Sequence, residues 1–198
     1  MPLIVFEGVD GCGKSTQARR LATTLRQSGS TVVELREPGG SELGERLRSL
    51  LLDPATKAAP TAELFCYLAA RAQLCAEVIA PALAAQHWVI LDRFWFSTIA
   101  YQCHGLGVPE GPVRSAISLA IGGTTVQAAF WLDLPVEICA RRRAATRGAA
   151  DRIELRGLAY LEKVRTGYAA LASAGELIRI DGSGDPDQIA AAIAAQLR

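Results

Sequence analysis

The sequence has no long block of like charge. Its 21 Lys and Arg stand against 20 Asp and Glu, a formal net charge of +1. An extended nucleic-acid surface is therefore not expected, and the ligand is expected to be small and met by local charge clusters. Zinc-type cysteine spacing is also missing. The five cysteines (12, 66, 75, 103 and 139) contain no CxxC pair and are odd in number, which fits reduced thiols of a cytoplasmic protein. No basic region precedes an apolar core at the N-terminus, so no signal peptide is expected. The apolar stretch around Val78 to Ala85 is interrupted by Pro81 and is too short to cross a bilayer, so no membrane partner is expected. Neither internal repeats nor a low-complexity linker occur. What remains is a chain of 198 residues, 50% of them hydrophobic, enough for one domain with a full core and at most a small appendage.

One stretch organises the rest. The apolar run Leu3-Ile4-Val5-Phe6 reads as a buried strand, and Thr16 to Leu21 reads as the start of a helix. Between them lies Gly8-Val9-Asp10-Gly11-Cys12-Gly13-Lys14-Ser15, the phosphate-binding P-loop pattern. Glycines let the backbone wrap a polyphosphate with its N–H groups inward, and the helix N-terminus adds a positive dipole end. Lys14 supplies a mobile charge for the outer phosphates, and the Ser15 hydroxyl is placed to ligate Mg²⁺. The residues from Gly8 through Val9, Asp10, Gly11, Cys12, Gly13, Lys14 and Ser15 to Thr16 are therefore expected to hold a nucleoside triphosphate. Cys12 reads as an inert small residue within the loop.

Strand-like and helix-like runs alternate along the chain. Strands are expected at Leu3–Glu7, Thr31–Leu35, Trp88–Asp92, Gln127–Asp133 and Leu177–Asp181. Helices are expected at Lys14–Ser28, Ser41–Leu52, Thr61–Gln86, a broken pair within Ser97–Ile121, Val136–Ala145, Glu154–Ala172 and Pro186–Leu197. This alternation predicts an α/β fold of the P-loop NTPase type: a five-stranded parallel sheet between two helical layers. Ligands in such sheets bind beyond the carboxyl ends of the strands.

Three further motifs fall at or near those ends. Arg36-Glu37-Pro38-Gly39-Gly40 follows the second strand as a turn, with Ser41 placed to cap the next helix; a plain loop explains the pattern as well as a site does. Tyr67 and Arg71 are four apart on the long helix, so they share a face. They suit stacking and reading a planar base, but a core tyrosine with a rim arginine fits the spacing equally. The strand Trp88–Leu91 ends in Asp92, the Walker-B arrangement for Mg²⁺, and Arg93 beside it suits bidentate phosphate binding. A structural bond between Asp92 and a P-loop partner is the alternative. Farther on, the arginines of 141–143, Arg147 and Arg152 surround a small-residue segment. About 141–153 is expected to act as a small mobile basic lid, with Arg141 and Arg142 on a solvated face.

Asp92-Arg93-Phe94, then Ser97, then Ala100-Tyr101-Gln102, resembles the signature of thymidylate kinases. Phe6-Glu7-Gly8, Asp10, Arg36 to Gly40, Arg48, Tyr67 with Arg71, and Asp151-Arg152-Ile153-Glu154 extend the resemblance over nearly the whole chain. It implies a single nucleoside monophosphate kinase domain over 1–198, a homodimer, and transfer of the terminal phosphoryl group of ATP to dTMP with Mg²⁺. Lys14, Arg93, Arg147 and Asp10 are the implied catalytic residues, and Ser15 and Asp92 the implied metal ligands. The acceptor would meet Glu37, Arg48, Tyr67, Arg71, Arg93, Ser97, Thr98, Tyr101 and Gln102, with Tyr101 beneath the deoxyribose where a 2′-hydroxyl would not fit.

Two departures from the family pattern stand out. Position 67 is usually Phe, so Tyr67 brings a hydroxyl that needs a partner. Position 11 is Gly where one branch carries a P-loop arginine, so Arg147 in the lid is expected to supply that charge. The family also suggests a cis Glu37–Pro38 peptide. No strong general base is needed, because a phosphate monoester is already an anionic nucleophile. The rivals are another P-loop nucleoside or nucleoside-monophosphate kinase and a nucleotide-dependent binding module.

Overall fold

The structure is a computed structural model that describes residues 2–145 and 150–197. Five parallel strands form one sheet: β1 (Leu3–Glu7), β2 (Val32–Arg36), β3 (Trp88–Asp92), β4 (Ala128–Asp133) and β5 (Ile178–Asp181). Their spatial order is β2-β3-β1-β4-β5. β1 is buried at all five positions, which is why it reads as a continuous apolar run. Its neighbours are β3 on one side and β4 on the other, with Phe6 level with both Asp92 and Phe130. The chain leaves β1 toward β2 and returns to the other half of the sheet only at β4. The order of strands therefore reverses at β1, where a crevice opens beyond the strand ends.

Helices cover the sheet: α1 (Lys14–Gln27), α2 (Glu42–Leu52), α3 (Pro60–Leu74), α4 (Ala80–Ala84), α5 (Trp95–Thr98), α6 (Glu110–Ile121), α7 (Val136–Ala144), α8 (Leu158–Ser173) and α9 (Pro186–Ala195). The expected long helix is α3 and α4 joined by a wide π-type turn over Cys75–Ile79. That turn bonds Ala80 N–H back to Cys75 C=O, and Pro81, which has no N–H, follows without ending the helix. The helical run thus passes through Pro81, as the expected helix Thr61–Gln86 does. The run Pro60–Ala84 has 25 residues and, by length and composition alone, could cross a membrane. Here it is a layer of the domain, with the side chains of Glu63 and Arg71 paired inside the protein.

Two other segments depart from the expected boundaries. The first half of the expected broken pair starts at Trp95 and continues as a π-type run over Ile99–Gly105. The expected helix from Glu154 is a single 3₁₀ turn, Glu154–Arg156, separated from α8 by Gly157 at φ 82°. Glycine tolerates that left-handed backbone, which the sequence pattern alone did not signal.

Candidate active site

A cavity of about 550 Å³ lies beyond the carboxyl ends of β1, β2 and β3. Of the predicted residues, Asp10, Lys14, Ser15, Glu37, Arg48, Tyr67, Arg71, Asp92, Arg93, Ser97, Thr98, Tyr101 and Gln102 all line it. Thr16 lies on α1, and Gly8, Val9, Gly11, Cys12 and Gly13 form the loop leading to it. Arg147 lies outside the described residues, as does the middle of the expected lid.

The loop is shaped by left-handed glycines. Gly8, Gly11 and Gly13 have φ of 135°, 91° and 101°. At Gly11 a Cβ would come within 2.2 Å of the Cys139 carbonyl oxygen on α7. No side chain, arginine included, fits position 11 while α7 stays where it is. Cys12 is 1% exposed and burial pushes its thiol pKa up, even with Lys14 beside it, so the thiol is not activated.

At the mouth of the loop, Asp10 gathers the cations. Lys14 Nζ donates to its Oδ1 at 2.6 Å and Arg93 Nη2 at 3.1 Å. Burial works to raise the Asp10 pKa, but Lys14 and Arg93 together hold it well below the usual carboxylate range. Burial and Arg93 both disfavour charged Lys14, yet Asp10 and Asp92 outweigh them and its pKa is raised. Ser15 Oγ donates to Asp92 Oδ2, so the alternative bond between Asp92 and the P-loop is present. The hydroxyl and carboxylate that the family resemblance implies as metal ligands are side by side. No group of three or more His, Cys, Asp or Glu capable of holding a metal occurs among the described residues.

Arg93 has φ 72°, a left-handed backbone unusual for a residue with a side chain. Its N–H donates to Phe6 C=O, and its guanidinium donates to Ser97 Oγ, Tyr168 Oη and Tyr101 Oη. The head group also lies 5.0 Å from the centre of the Tyr101 ring. Glu7, which has 0% exposure, stands behind this cluster. Its carboxylate accepts from the backbone N–H of Phe94 and Ser97 and from the hydroxyls of Ser97 and Tyr168. Burial raises the Glu7 pKa, against Arg93, the Ser97 and Tyr168 hydroxyls and the Phe94 N–H. The carboxylate thereby caps the start of α5 from a neighbouring strand.

On the acceptor side, Arg71 is 2% exposed. Its Nε and Nη2 donate to Glu37 Oε2, its Nη1 to Thr98 Oγ1, and its Nη2 to Phe94 C=O. The Glu37–Pro38 peptide is cis, and Ser41 Oγ accepts from Gly44 N–H as a helix cap. Burial raises the Glu37 pKa to about 7 against the Arg71 pairing. Arg48 Nη1 donates to Pro38 C=O. Two of the expected acceptor contacts also bond other site residues: Thr98 accepts from Arg71, and Ser97 links Glu7 to Arg93. The Tyr67 hydroxyl finds no hydrogen-bond partner among the described residues, while burial raises its pKa.

Sequence reasoning assigned no role to Glu7, Glu63 or Tyr168. A signal for Glu63 was present: Glu63, Tyr67 and Arg71 follow one another at spacing four and share a helix face. Glu7 was visible as a charged residue ending an apolar strand. Tyr168 had no sequence signal, because it reaches the site from α8, 161 residues after Glu7.

The family model described as thymidylate kinase matches residues 6–193. A thymidylate kinase of Chlorobium chlorochromatii is 41% identical over 207 residues, covering 98% of this chain and 93% of the relative. One from Trichlorobacter lovleyi is 44% identical over 198 residues, with 96% and 93% covered. The crystal structure of thymidylate kinase from Ehrlichia chaffeensis superposes with a TM-score of 0.81 at 28% identity, covering 100% of this chain and 98% of that one. Sequence and fold agree, and this chain belongs to the thymidylate kinase family.

Proposed function

We propose that the chain transfers the terminal phosphoryl group of MgATP to dTMP, giving ADP and dTDP. The observation that carries this reading is one cavity shared by the P-loop Lys14, the strand-end Arg93 and the acceptor-side Tyr67, Arg71, Tyr101 and Gln102. Family membership from residue 6 to residue 193 supports the choice of substrate.

Lys14 and Arg93 both sit on Asp10, so two cations are held where two phosphates would meet. Their charge offsets the charge that spreads over the transferred group, and their fixed placement removes reorganisation from the barrier. Ser15 and Asp92 would hold Mg²⁺. One hydroxyl and one carboxylate suit this ion, which fills its remaining positions with water and phosphate oxygens. The ion supplies charge neutralisation of the phosphates when bound. Arg71, Tyr67 and Gln102 would take the base, Arg48 and Arg93 the acceptor phosphate, and Tyr101 the sugar. Ser97, Thr98 and Glu37 act behind them by fixing Arg93 and Arg71.

We assign residues 1–198 to one kinase domain, with 141–153 as its lid and Arg147 as the charge that completes the site. At its described ends this lid is tied down by Arg143 pairing with Glu154 and by Arg152 donating to Leu51 C=O. Exposed Leu43, Leu50, Phe65 and Leu119 on α2, α3 and α6 support a homodimer through that face. The free cysteines among the described residues support a reducing, cytoplasmic setting.

The test is ADP production from MgATP with dTMP, dUMP, thymidine, dCMP, dGMP or AMP as acceptor. Fast turnover with dTMP and weak turnover with the others is expected. Turnover with thymidine alone would move the chain to the nucleoside kinases. In the same assay Arg147→Ala lowers kcat by orders of magnitude; a near-normal rate would remove the lid arginine from the reaction.

A further inference from the structure

Glu63 is the most enclosed charge on α3, with 0% exposure, and it faces the acceptor side of the cavity without reaching it. Three side chains converge on its carboxylate. Arg156 donates to both oxygens, Arg152 ion-pairs with Oε2 at 2.7 Å, and Gln102 Nε2 donates to Oε1 at 3.0 Å. Burial works to raise its pKa, but these three partners lower it overall, so the carboxylate is ionised.

An ionised carboxylate only accepts hydrogen bonds, so it dictates which end of the Gln102 amide it meets. Nε2 must face Glu63. The oxygen then becomes the polar end left to the cavity that Gln102 lines. No hydrogen bond is made to this Oε1 among the described residues, although Gln102 is only 2% exposed. We propose that Glu63 is a specificity-positioning residue: it locks the Gln102 amide with its oxygen toward the base, so the pocket accepts a ring N–H and disfavours a ring nitrogen lone pair.

The two pyrimidine classes differ at that atom. Thymine and uracil carry N3–H, a donor, beside a keto oxygen. Cytosine carries an unprotonated N3, an acceptor, beside an amino group. Arg71 complements the same choice. Four of its five N–H groups serve Glu37, Thr98 and Phe94, and the fifth, on Nη1, can only donate, which suits a keto oxygen. A pocket with an outward amide oxygen beside an arginine N–H matches the keto pyrimidine at both atoms and opposes cytosine at both. Leaving buried polar groups unpaired is the strongest form of rejection available to such a site. The same carboxylate holds Arg152, within the 141–153 segment, and Arg156, just after it, so base reading and the anchorage of that segment meet at one residue.

This inference rests on the dTMP reading, and its test separates the two. The readout is the ratio of kcat/KM for dTMP to that for dCMP. In Glu63→Gln the partner of Gln102 is itself an amide, so either end of Gln102 can turn to the cavity. The ratio is expected to fall about tenfold or more, mainly through a rise for dCMP. Equal losses on both substrates, with the ratio unchanged, would show a structural role only and overturn the proposal. Should Glu63→Gln not fold, Gln102→Met leaves Glu63 its two arginines and removes the oriented amide; a fall in the ratio is expected, and an unchanged ratio overturns the proposal as well. Failure of the wild-type chain to use dTMP would instead refute the reading beneath it.

Discussion

Two buried glutamates flank the acceptor side of this cavity, and they are balanced in opposite ways. Glu37 has one arginine, Arg71, whose two donors both fall on Oε2, while Oε1 is buried with no partner. Its pKa rises to about 7. Glu63 has two arginines and an amide, and its pKa falls. Burial acts in the same direction on both; the number of partners decides the outcome. A single buried ion pair leaves a carboxylate near its titration point at neutral pH, whereas a second cation commits it to charge. The first arrangement keeps Arg71 in place with a soft support. The second gives a fixed one.

Removing cations should widen this contrast. The largest effect is expected from Arg71→Met, which strips Glu37 of its cation. Breaking a buried pair leaves an uncompensated charge and costs about 3–5 kcal/mol. Urea unfolding at pH 8 measures it, and the loss should shrink at pH 6, where Glu37 can take up a proton; an equal loss at both values would contradict the soft support. A smaller effect is expected from Arg156→Met. Glu63 keeps Arg152 and Gln102, so the loss is that of a charged hydrogen bond, about 1.5–3 kcal/mol, and nearly independent of pH in this range. A loss as large as that of Arg71→Met would show that the second arginine is not a reserve.

The last effect is a slope rather than a single loss. The Glu37 carboxyl titrates at 4.5 when unperturbed and at about 7 when folded. Between those values the folded chain holds a proton that the unfolded chain releases, so its contribution is present below 4.5 and lost as pH rises through about 7. Glu37→Gln cannot titrate. The Tm of the wild type relative to this variant should therefore decline across that window, and a rising difference would reverse the assignment.

Much of the molecule was legible because its signals are local. The apolar runs of β1 and β3, the glycines before Lys14 and the Asp92-Arg93 pair each report their own backbone. Parallel strands then bring them to one edge of the sheet. The supporting residues were harder to see. Glu7 and Tyr168 meet only because α8 packs against the Ile99–Gly105 run and β4, and sequence spacing does not show that Ser97 bonds Arg93 or that Thr98 bonds Arg71. The break at Gly157 escaped for a similar reason: the pattern of apolar residues continues across a backbone that does not.

Arg93 carries one more implication. Its φ of 72° costs a residue with a side chain about 1–3 kcal/mol relative to a relaxed backbone, and only glycine would relieve that cost. Glycine, however, would surrender the guanidinium that joins Asp10, Ser97, Tyr101 and Tyr168. Main chain and side chain thus ask for different amino acids at one position. Relaxing the backbone at this position would cost more in lost bonds than it returned, so the strain persists because the guanidinium's partners hold it there.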